Sequence, residues 1–355
     1  MTSAAPPPQR PGRQITGMSA VLLPYAADGT IAWDALAAGV DRTVAAGLVP
    51  AVNMDTGYGP WLTAEERRRV LALTTEVVGD RQPVPGWRFV AGAHVDGPSA
   101  PAPGGRAVFD LDGYRRAVAE VAQAGGVPIA FPSAGLGGLP EAEIATAHAA
   151  IATGTADRLL AFELGRQFHP DGRIWTLDTY AALLDVPAVV GAKHSSLRRR
   201  PEWDRLALRD AVRPGFLVLT GNDLAIDMVR WGSDYLLGLS AFAPGAFARR
   251  DWLWAADDAR AFELDDALQA LGAVAFRDPV PAYRHDAALV WRRRRWAPSD
   301  LTHPASPRRP DGEAALLDVL LDRLDAVTDH VDGDDEGGDD EGGDATVRSP
   351  SPVAP

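Results

Sequence analysis

The chain has 355 residues, 46% apolar content and a formal net charge of -13, so it is long enough to bury a large core. It contains no cysteine, which excludes disulfides and thiolate metal sites. No stretch approaches the roughly 18 consecutive apolar residues of a membrane span. The N-terminal stretch has arginine and proline but no apolar core, so we do not expect a secretory signal. A soluble, cytoplasmic protein with no membrane partner is expected.

The negative charge is concentrated near the C-terminus. Residues 332–344 hold eight acidic and no basic residues, and taking these eight away from -13 leaves only -5. A segment so rich in charge and glycine cannot bury enough apolar surface to fold. We predict a disordered tail over residues 1–14 and a disordered acidic tail over residues 331–355. No basic face with interleaved aromatic residues is evident, so nucleic acid is not an expected partner.

Between these tails, short apolar runs alternate with longer amphipathic ones, which is typical of βα units and a parallel sheet. Strands are predicted over residues 19–24, 49–54, 88–93, 127–131, 158–163, 188–193, 216–220 and 235–239. Helical patterns are predicted over residues 33–46, 64–78, 111–124, 141–152, 177–184, 202–211, 224–231 and 245–255. Eight such units match the size of a TIM barrel. The sequence therefore predicts an α/β fold, a (β/α)8 barrel over residues 15–256.

Three further helical patterns follow the predicted barrel, over residues 259–271, 283–295 and 313–327. A closed barrel has no edge to which another strand could be added. These patterns therefore predict a C-terminal helical appendage over residues 257–330, packed on one side of the barrel.

Lys193 is the one lysine in the chain, because every other cation among its 35 Lys+Arg is arginine. A guanidinium cannot lose its proton in a protein, whereas a lysine can become a neutral amine and attack a carbonyl to form a Schiff base. Lys193 ends the apolar run 187–192, which reads as a buried strand. It is the first candidate for a catalytic residue, and such chemistry requires no metal or other cofactor.

The chemistry of a TIM barrel lies where its strands end, so the polar residues after each apolar run are candidates. Catalytic candidates are Lys193 and Glu163. Substrate-binding candidates are Tyr25, Asp55, Thr56, Gly57, Tyr58, His94, Arg166, Gly221, Asn222 and Ser240. A glycine-rich loop with Thr can aim backbone N–H groups and hydroxyls at a carboxylate or phosphate, and Thr56 and Gly57 are the candidates for this role.

Several of these residues also have purely structural interpretations. His94 could be a hydrogen-bonded histidine beneath a loop, and Asn222 and Asp223 are predicted first as caps of the following helix. His194 follows Lys193 directly, so alternation along a strand predicts that it faces away. Glu163 ends an apolar run, where an unpaired carboxylate would be costly, and this favours a role in the site.

Four motifs in order resemble the dihydrodipicolinate synthase and N-acetylneuraminate lyase family of class I aldolase barrels, over residues 18–327. Residues 55–58 stand where the family has its Gly-Thr-Thr-Gly-Glu loop, and residues 191–193 stand where it has Gly-Ile-Lys with the Schiff-base lysine. Residues 219–223 resemble its Leu-Ser-Gly-Asp-Asp, and residues 278–281 its Asn-Pro-Ile-Pro. The resemblance implies a TIM barrel, a small carbonyl substrate, and a homodimer or homotetramer.

The sequence also departs from that family. The tyrosine that relays protons after the fifth strand is absent from residues 161–165, and a second tyrosine is absent from residues 131–135. Asp55 replaces the first threonine of the carboxylate-binding loop, where it would repel a substrate carboxylate unless it is protonated or binds a hydroxyl. With the family tyrosines absent, Glu163 is the natural candidate for the proton relay.

These observations favour a class I lyase, an aldolase or a dehydratase, that acts on a 2-keto acid or a sugar-derived carbonyl compound through Lys193. Glu163, or a tyrosine such as Tyr25 or Tyr58, would move the protons. The second hypothesis is a metal-dependent isomerase or epimerase whose divalent ion is bound by Glu163, His94 and either Asp55 or His194. A third is a barrel that has lost catalysis.

Overall fold

The computed structural model describes residues 6–95 and 107–336 of the chain. Eight parallel strands form a closed barrel in sequence order. Their bounds are β1 Gly17–Ala20, β2 Val49–Val52, β3 Val90–Ala93, β4 Val127–Ala130, β5 Leu159–Leu164, β6 Val189–Ser195, β7 Leu217–Thr220 and β8 Asp234–Leu237. The predicted (β/α)8 barrel is confirmed.

The strand bounds agree with the predicted apolar runs to within a few residues, and β1 differs most. The run predicted over 19–24 is a strand only at its start, because β1 ends at Ala20. Val21, Leu22 and Leu23 remain buried, but they pack in the apolar layer between the barrel and its helices. Val21 N–H still donates to Ala51 O of β2 (2.9 Å), so the pairing ends gradually and the apolar run continues past β1 because its side chains are buried.

Helices surround the barrel. They are α1 Trp33–Ala45, α2 Ala64–Val78, α3 Leu111–Gln123, α4 Ala134–Gly137, α5 Glu141–Ala152, α6 Leu177–Leu184, α7 Arg199–Val212, α8 Pro244–Ala255, α9 Arg260–Ala275, α10 Tyr283–Arg293 and α11 Glu313–Glu336. The pattern predicted over 224–231 forms a 3-10 helix, Ile226–Trp231. None of the helices in residues 6–95 and 107–336 has the length and apolarity to cross a bilayer.

Side chains alternate between the barrel interior and the helical layer, as a period of two residues requires. Register partners in neighbouring strands share a face, and one apolar cluster fills the interior. Its strand residues are Met18, Ala20, Val49, Ala51, Val90, Val127, Ile129, Leu160, Phe162, Leu164, Leu219 and Leu236. The barrel interior is therefore filled with side chains, and in barrels of this kind ligands bind at the carboxyl ends of the strands.

Helix α10 lies against the barrel so that its first residues reach the rim. Trp291 donates a hydrogen bond from Nε1 to Ala241 O (2.8 Å). Its ring packs on Gly39 of α1, where a Cβ atom would lie 2.4 Å from the ring. The opposite end of α10 places Tyr283 beside the loop after β2. The C-terminal helices, predicted as an appendage on one side of the barrel, thus contribute residues to its mouth.

The structure differs from the predicted tails at both ends. Arg10 N donates to Arg230 O (2.7 Å) and Gly12 N to Trp254 O (3.1 Å), so the N-terminal segment is in contact with the barrel well before residue 15. At the other end α11 continues past the predicted boundary of 330, and Val331 is fully buried. Residues 1–5 and 337–355 of the two predicted tails lie outside the described residues.

Candidate active site

Lys193 lies on β6 and points into the mouth of the barrel. Its register partners are Phe162 on β5 and Leu219 on β7, both members of the interior cluster. The residue is 5% exposed, and Nζ lies 4.6 Å from the centroid of the Phe162 ring. Phe162 falls within the segment 161–165 in which the resembling family has its tyrosine. The amine therefore faces an apolar ring, in a segment from which the sequence already showed the tyrosine to be absent.

Asp55, in the loop after β2, is the acid nearest to the lysine amine. Its Oδ1 lies 3.9 Å from Lys193 Nζ and its Oδ2 accepts a hydrogen bond from the Tyr283 hydroxyl (2.8 Å). Tyr283 Oη is also 2.9 Å from Thr56 Oγ1. Burial by itself would raise the pKa of Asp55, but Lys193, Arg284 and the Tyr283 hydrogen bond bring that pKa below its ordinary value. Asp55 is therefore ionised at neutral pH.

Gly221, at the start of the loop after β7, leaves room for the lysine side chain. A Cβ atom there would lie 2.6 Å from Lys193 Cε and 2.1 Å from Ser195 Oγ. Ser195 Oγ is buried without a hydrogen-bond partner among the residues that the structure describes. Ser195 pairs with the interior residue Leu164, so its hydroxyl is a further polar group of the mouth.

Asp223 joins two of the rim loops instead of capping the following helix. Its Oδ1 accepts the Leu239 N–H (2.7 Å), and the adjacent Asn222 forms a local turn by accepting the Leu224 N–H (3.2 Å). Burial raises the pKa of Asp223 to about 7, although the Leu239 hydrogen bond and Lys193 act in the opposite direction. A carboxyl group with this pKa can hold or release a proton near neutral pH.

Glu163 does not face Lys193, which corrects the assignment of this residue as the proton relay. It pairs in register with His194, on the opposite face of the sheet from Lys193. Its carboxylate accepts two hydrogen bonds from Arg205 (2.6 and 2.5 Å) and one from the Trp175 N–H (2.9 Å). The His194 ring nitrogen Nδ1 lies 2.8 Å from Oε2. His194 faces away from the mouth, as predicted.

The Glu163 carboxylate is fully satisfied and fully ionised in this setting. Burial would raise its pKa, but the charges and hydrogen bonds of His194 and Arg205 lower it. The place of this carboxylate behind β5 and β6 indicates a structural role that holds these strands against α7.

Two backbone N–H groups of the loop after β2 are used within the loop itself. Gly57 N–H donates to Met54 O (3.1 Å) and Tyr58 N–H donates to Asp55 O (3.1 Å). The expected presentation of the Gly57 N–H to a carboxylate is therefore wrong. Thr56 contributes its hydroxyl to the Tyr283 contact.

The aromatic candidates lie at the rim. Tyr58 is fully buried, and its ring centroid is 5.8 Å from that of Tyr25 and 6.1 Å from that of Trp61. Burial raises the pKa of both tyrosines well above the ordinary value, so both remain protonated phenols. They shape the rim next to the loop that carries Asp55.

The remaining candidates are placed as follows. His94 Nε2 lies 2.7 Å from Asn53 O, in a contact that holds the loop after β2 to the end of β3. Ser240 donates its hydroxyl to Leu237 O (2.8 Å) within its own turn. Arg166 is exposed in the loop after β5. His94 and Ser240 therefore support the rim.

The residues proposed as ligands of a divalent ion are not brought together. Glu163 and His194 lie outside the barrel, whereas Asp55 lies in its mouth. Within residues 6–95 and 107–336, no group of three His, Cys, Asp or Glu side chains is arranged to hold a metal ion. The geometry of these donors does not favour the metal-dependent hypothesis.

Two residues of α10 were not predicted as part of the site, namely Tyr283 and Arg284. Arg284 is 3% exposed and its charge helps to lower the pKa of Asp55. The two residues lie two and three positions after the segment 278–281, one of the motifs that carries the family resemblance. That motif could have identified them as candidates, because residues that follow a turn at the barrel rim can point into the mouth.

Comparisons with known proteins give matches to solved structures. No protein-family model matches the sequence, and no curated protein matches it. A prophage protein of the dihydrodipicolinic acid synthase family from E. coli, solved with pyruvate, superposes with a TM-score of 0.73 at 18% identity, over 87% of this chain and 98% of that one. Dihydrodipicolinate synthase from Thermotoga maritima gives 0.71 at 16% identity, over 88% and 99%.

A third similar structure is the sialic acid aldolase of Ruminococcus gnavus, in its catalytic lysine mutant form. It superposes with a TM-score of 0.70 at 15% identity, over 89% of this chain and 98% of that one. At such identities the likeness concerns the fold. The chain therefore has the fold of the dihydrodipicolinate synthase and sialic acid aldolase structures, as its sequence motifs predicted.

Proposed function

We propose that the protein is a class I lyase, an aldolase or a dehydratase, that forms a Schiff base between Lys193 and a small carbonyl substrate. One observation carries this proposal: the single lysine of the chain is buried at the carboxyl end of β6, with Nζ pointing into the barrel mouth between Phe162 and Asp55. The similar structures add support, since one is described as the mutant of a catalytic lysine and another contains pyruvate.

The first step in this proposal is the formation of an imine. Nζ must lose a proton before it can attack, and Asp55 Oδ1 is the base nearest to it. The nitrogen lone pair adds to the carbonyl carbon, the carbonyl oxygen takes up a proton, and the carbinolamine loses water to leave an iminium. In carbon–carbon cleavage the iminium accepts the electron pair of the bond that breaks, as the substrate hydroxyl next to that bond loses its proton and becomes a carbonyl. In dehydration the iminium accepts the electron pair of the adjacent C–H bond as its proton is removed, and the resulting enamine expels the hydroxyl group, which takes up a proton and leaves as water.

Asp55 takes the role that sequence reasoning assigned to Glu163. Its carboxylate is ionised and close to the amine, and the Tyr283 hydroxyl holds its orientation. Asp223 is a second proton carrier of the mouth, because its pKa of about 7 lets it donate a proton near neutral pH. The proton relay therefore consists of two carboxyl groups in place of the tyrosines of the resembling family.

Trapping with borohydride tests the proposal directly. Borohydride reduces an iminium to a stable secondary amine, so incubation with pyruvate or with keto sugars should give one adduct per chain by intact mass. Because the chain has no other lysine, the N-terminal amine is the main competitor, and peptide mapping separates the two. Lys193→Arg keeps the charge and cannot form an imine. Persistence of the adduct in Lys193→Arg, or no adduct with any substrate of the panel, would refute the proposal.

Assembly into a homodimer or homotetramer and a cytoplasmic location remain predictions. Light scattering on the full chain across a range of concentrations measures the assembly. A monomer at all concentrations would contradict the oligomeric prediction.

A further inference from the structure

Arg284, on the first turn of α10, is a buried cation with unused hydrogen-bond donors. Its Nε and Nη1 atoms are buried and have no hydrogen-bond partner among the described residues. A guanidinium has five N–H donors, and burying it without partners is unfavourable. A buried polar group that lacks a partner within the protein is a candidate for contact with a ligand.

Aromatic rings hold the guanidinium in place. Its Cζ atom lies 4.6 Å from the centroid of the Trp61 ring, 5.6 Å from that of Tyr283 and 5.8 Å from that of Tyr58. Contacts with ring faces restrict a guanidinium without using its N–H donors. Trp61 is 38% exposed, so the group of aromatic rings around the guanidinium reaches solvent at the rim, where a ligand can enter.

The charges of the mouth favour the binding of an anion. Lys193 Nζ lies 3.9 Å from Asp55 Oδ1, and the charges of Lys193 and Arg284 both lower the pKa of Asp55. Asp223, with a pKa of about 7, carries only part of a negative charge at neutral pH. The charges of Lys193, Asp55 and Arg284 add up to one net positive charge. An iminium at Lys193 would preserve that net charge.

We propose that Arg284 is the anion-binding residue of this barrel mouth and that it binds a carboxylate of the substrate. The inference rests on the proposed function and narrows its substrate class to carbonyl compounds that carry a carboxylate. In the loop after β2, the N–H groups of Gly57 and Tyr58 are engaged within the loop and Asp55 is an acid, whereas the buried Nε and Nη1 atoms of Arg284 have no partner among the described residues. A planar guanidinium binds a carboxylate through two parallel hydrogen bonds.

The test separates anion binding from imine chemistry. In the double variant Lys193→Met/Asp55→Asn, the amine and its partner charge are removed together, so no adduct can form. Calorimetry then measures the binding of pyruvate, 2-oxoglutarate and succinate, with pyruvamide as the uncharged analogue. Adding Arg284→Met should weaken the binding of the carboxylates at least about ten-fold, the usual scale for hydrogen bonds to a charged group. Pyruvamide binding should not change.

Arg292→Met is the matched control, because Arg292 is exposed on the same helix and its substitution also removes one cation. It should leave carboxylate binding within about two-fold of the parent variant. The inference would be overturned if the carboxylates bound equally well with and without Arg284, or if Arg292→Met caused an equal loss of affinity. It would also be overturned if none of the three carboxylates bound.

A second measurement uses the protein with Lys193 and Asp55 intact, and it distinguishes the anion-binding proposal from the Schiff-base proposal. The concentration of pyruvate that half-saturates borohydride trapping should rise about ten-fold or more in Arg284→Met, whereas that of hydroxyacetone, which is neutral, should stay the same. If carboxylates bind through Arg284 but nothing is trapped, the anion site stands and the Schiff-base proposal fails. If trapping occurs with no dependence on Arg284, the Schiff-base proposal stands and the anion site fails.

Discussion

Glu163 and Arg205 form a two-bonded ion pair on the outer face of the barrel, with contacts of 2.6 and 2.5 Å. Both residues are buried, and the pair lies on the face of β5 opposite to the one that carries Phe162. Desolvated pairs of this kind are costly to break, because removing one partner leaves an uncompensated charge.

Glu163→Gln should therefore lower stability without affecting the chemistry of Lys193. We expect the free energy of unfolding to fall by about 3 kcal/mol or more, measured by urea denaturation. Borohydride trapping on the folded variant should proceed at the rate of the unmodified protein. Glu163→Gln/Arg205→Met, which removes both charges, should cost less than the sum of the single changes. A folded Glu163→Gln protein that traps about a hundred-fold more slowly would return Glu163 to the mechanism.

Asp55→Asn should slow the formation of the adduct with little effect on the fold. The amide oxygen can still accept the Tyr283 hydrogen bond, but an amide cannot take a proton from Lys193. We expect a loss of roughly 10²-fold or more in the rate of trapping, the usual scale for a general base. Rapid-quench trapping at several pH values measures it. An unchanged rate would show that another group removes the proton.

Gly221→Ala should exclude the lysine side chain from its position. The new methyl group would lie 2.6 Å from Lys193 Cε and 2.1 Å from Ser195 Oγ, so both side chains must move. We expect loss of the adduct in a protein that remains folded by circular dichroism. Gly215→Ala is the control, because a Cβ there meets nothing within 4 Å. Normal trapping in Gly221→Ala would contradict the arrangement of Lys193 described above.

Asp223→Asn should change how stability depends on pH. Burial raises the pKa of Asp223 in the folded protein to about 7, above the value of about 3.9 expected in the unfolded chain. The protonated Asp223 carboxyl group contributes fully to the free energy of unfolding below pH ~4. This contribution is lost as pH rises to ~7, at about 1.4 kcal/mol per pH unit.

The side chain of the Asp223→Asn variant cannot ionise, so its free energy of unfolding should not show this loss between pH 4 and pH 8. The stability of the variant relative to the unmodified protein should therefore be greater at pH 8 than at pH 4. Urea denaturation at both values measures the difference between the two proteins. Asp329→Asn, a change at an exposed position of α11, is the control. Parallel pH profiles for all three proteins would contradict the raised pKa.

Truncation should distinguish the end of α11 from the residues beyond it. Removal of all residues after Glu336 should leave the melting temperature unchanged. Removal of all residues after Asp329 deletes the buried side chain of Val331 and its carbonyl, which accepts hydrogen bonds from Arg249 and Arg260. Burying a valine is worth about 1.5–3 kcal/mol, so we expect a clear decrease of the melting temperature by calorimetry. Equal melting temperatures of the two truncated proteins would contradict this role of Val331.

Much of the architecture could be predicted from the sequence. Apolar runs separated by amphipathic segments indicate βα units, and eight of them indicate the barrel. The place of Lys193 at the end of such a run follows from the same pattern. These features depend on local periodicity, which each segment carries by itself.

Tertiary structure alone decided which groups surround the amine. β5 and β6 begin in a register that pairs Leu159 with Val189, but a shift of one residue follows, so that Leu160 pairs with Gly191. Had the first register continued, Glu163 would pair with Lys193 and share its face. The shift pairs Glu163 with His194 instead, because a slip of one residue moves a side chain to the other face of a sheet.

The contacts of Asp55 were likewise beyond the reach of local patterns. Tyr283 reaches Asp55 across 228 positions of sequence. Arg284 lies at the rim because Trp291 holds α10 against the turn after β8 and against α1. The sequence by itself determined the barrel and the position of its one lysine, since period and composition are local properties. The tertiary structure decided the proton carrier and the cationic neighbour, since register and helix docking depend on packing between distant segments.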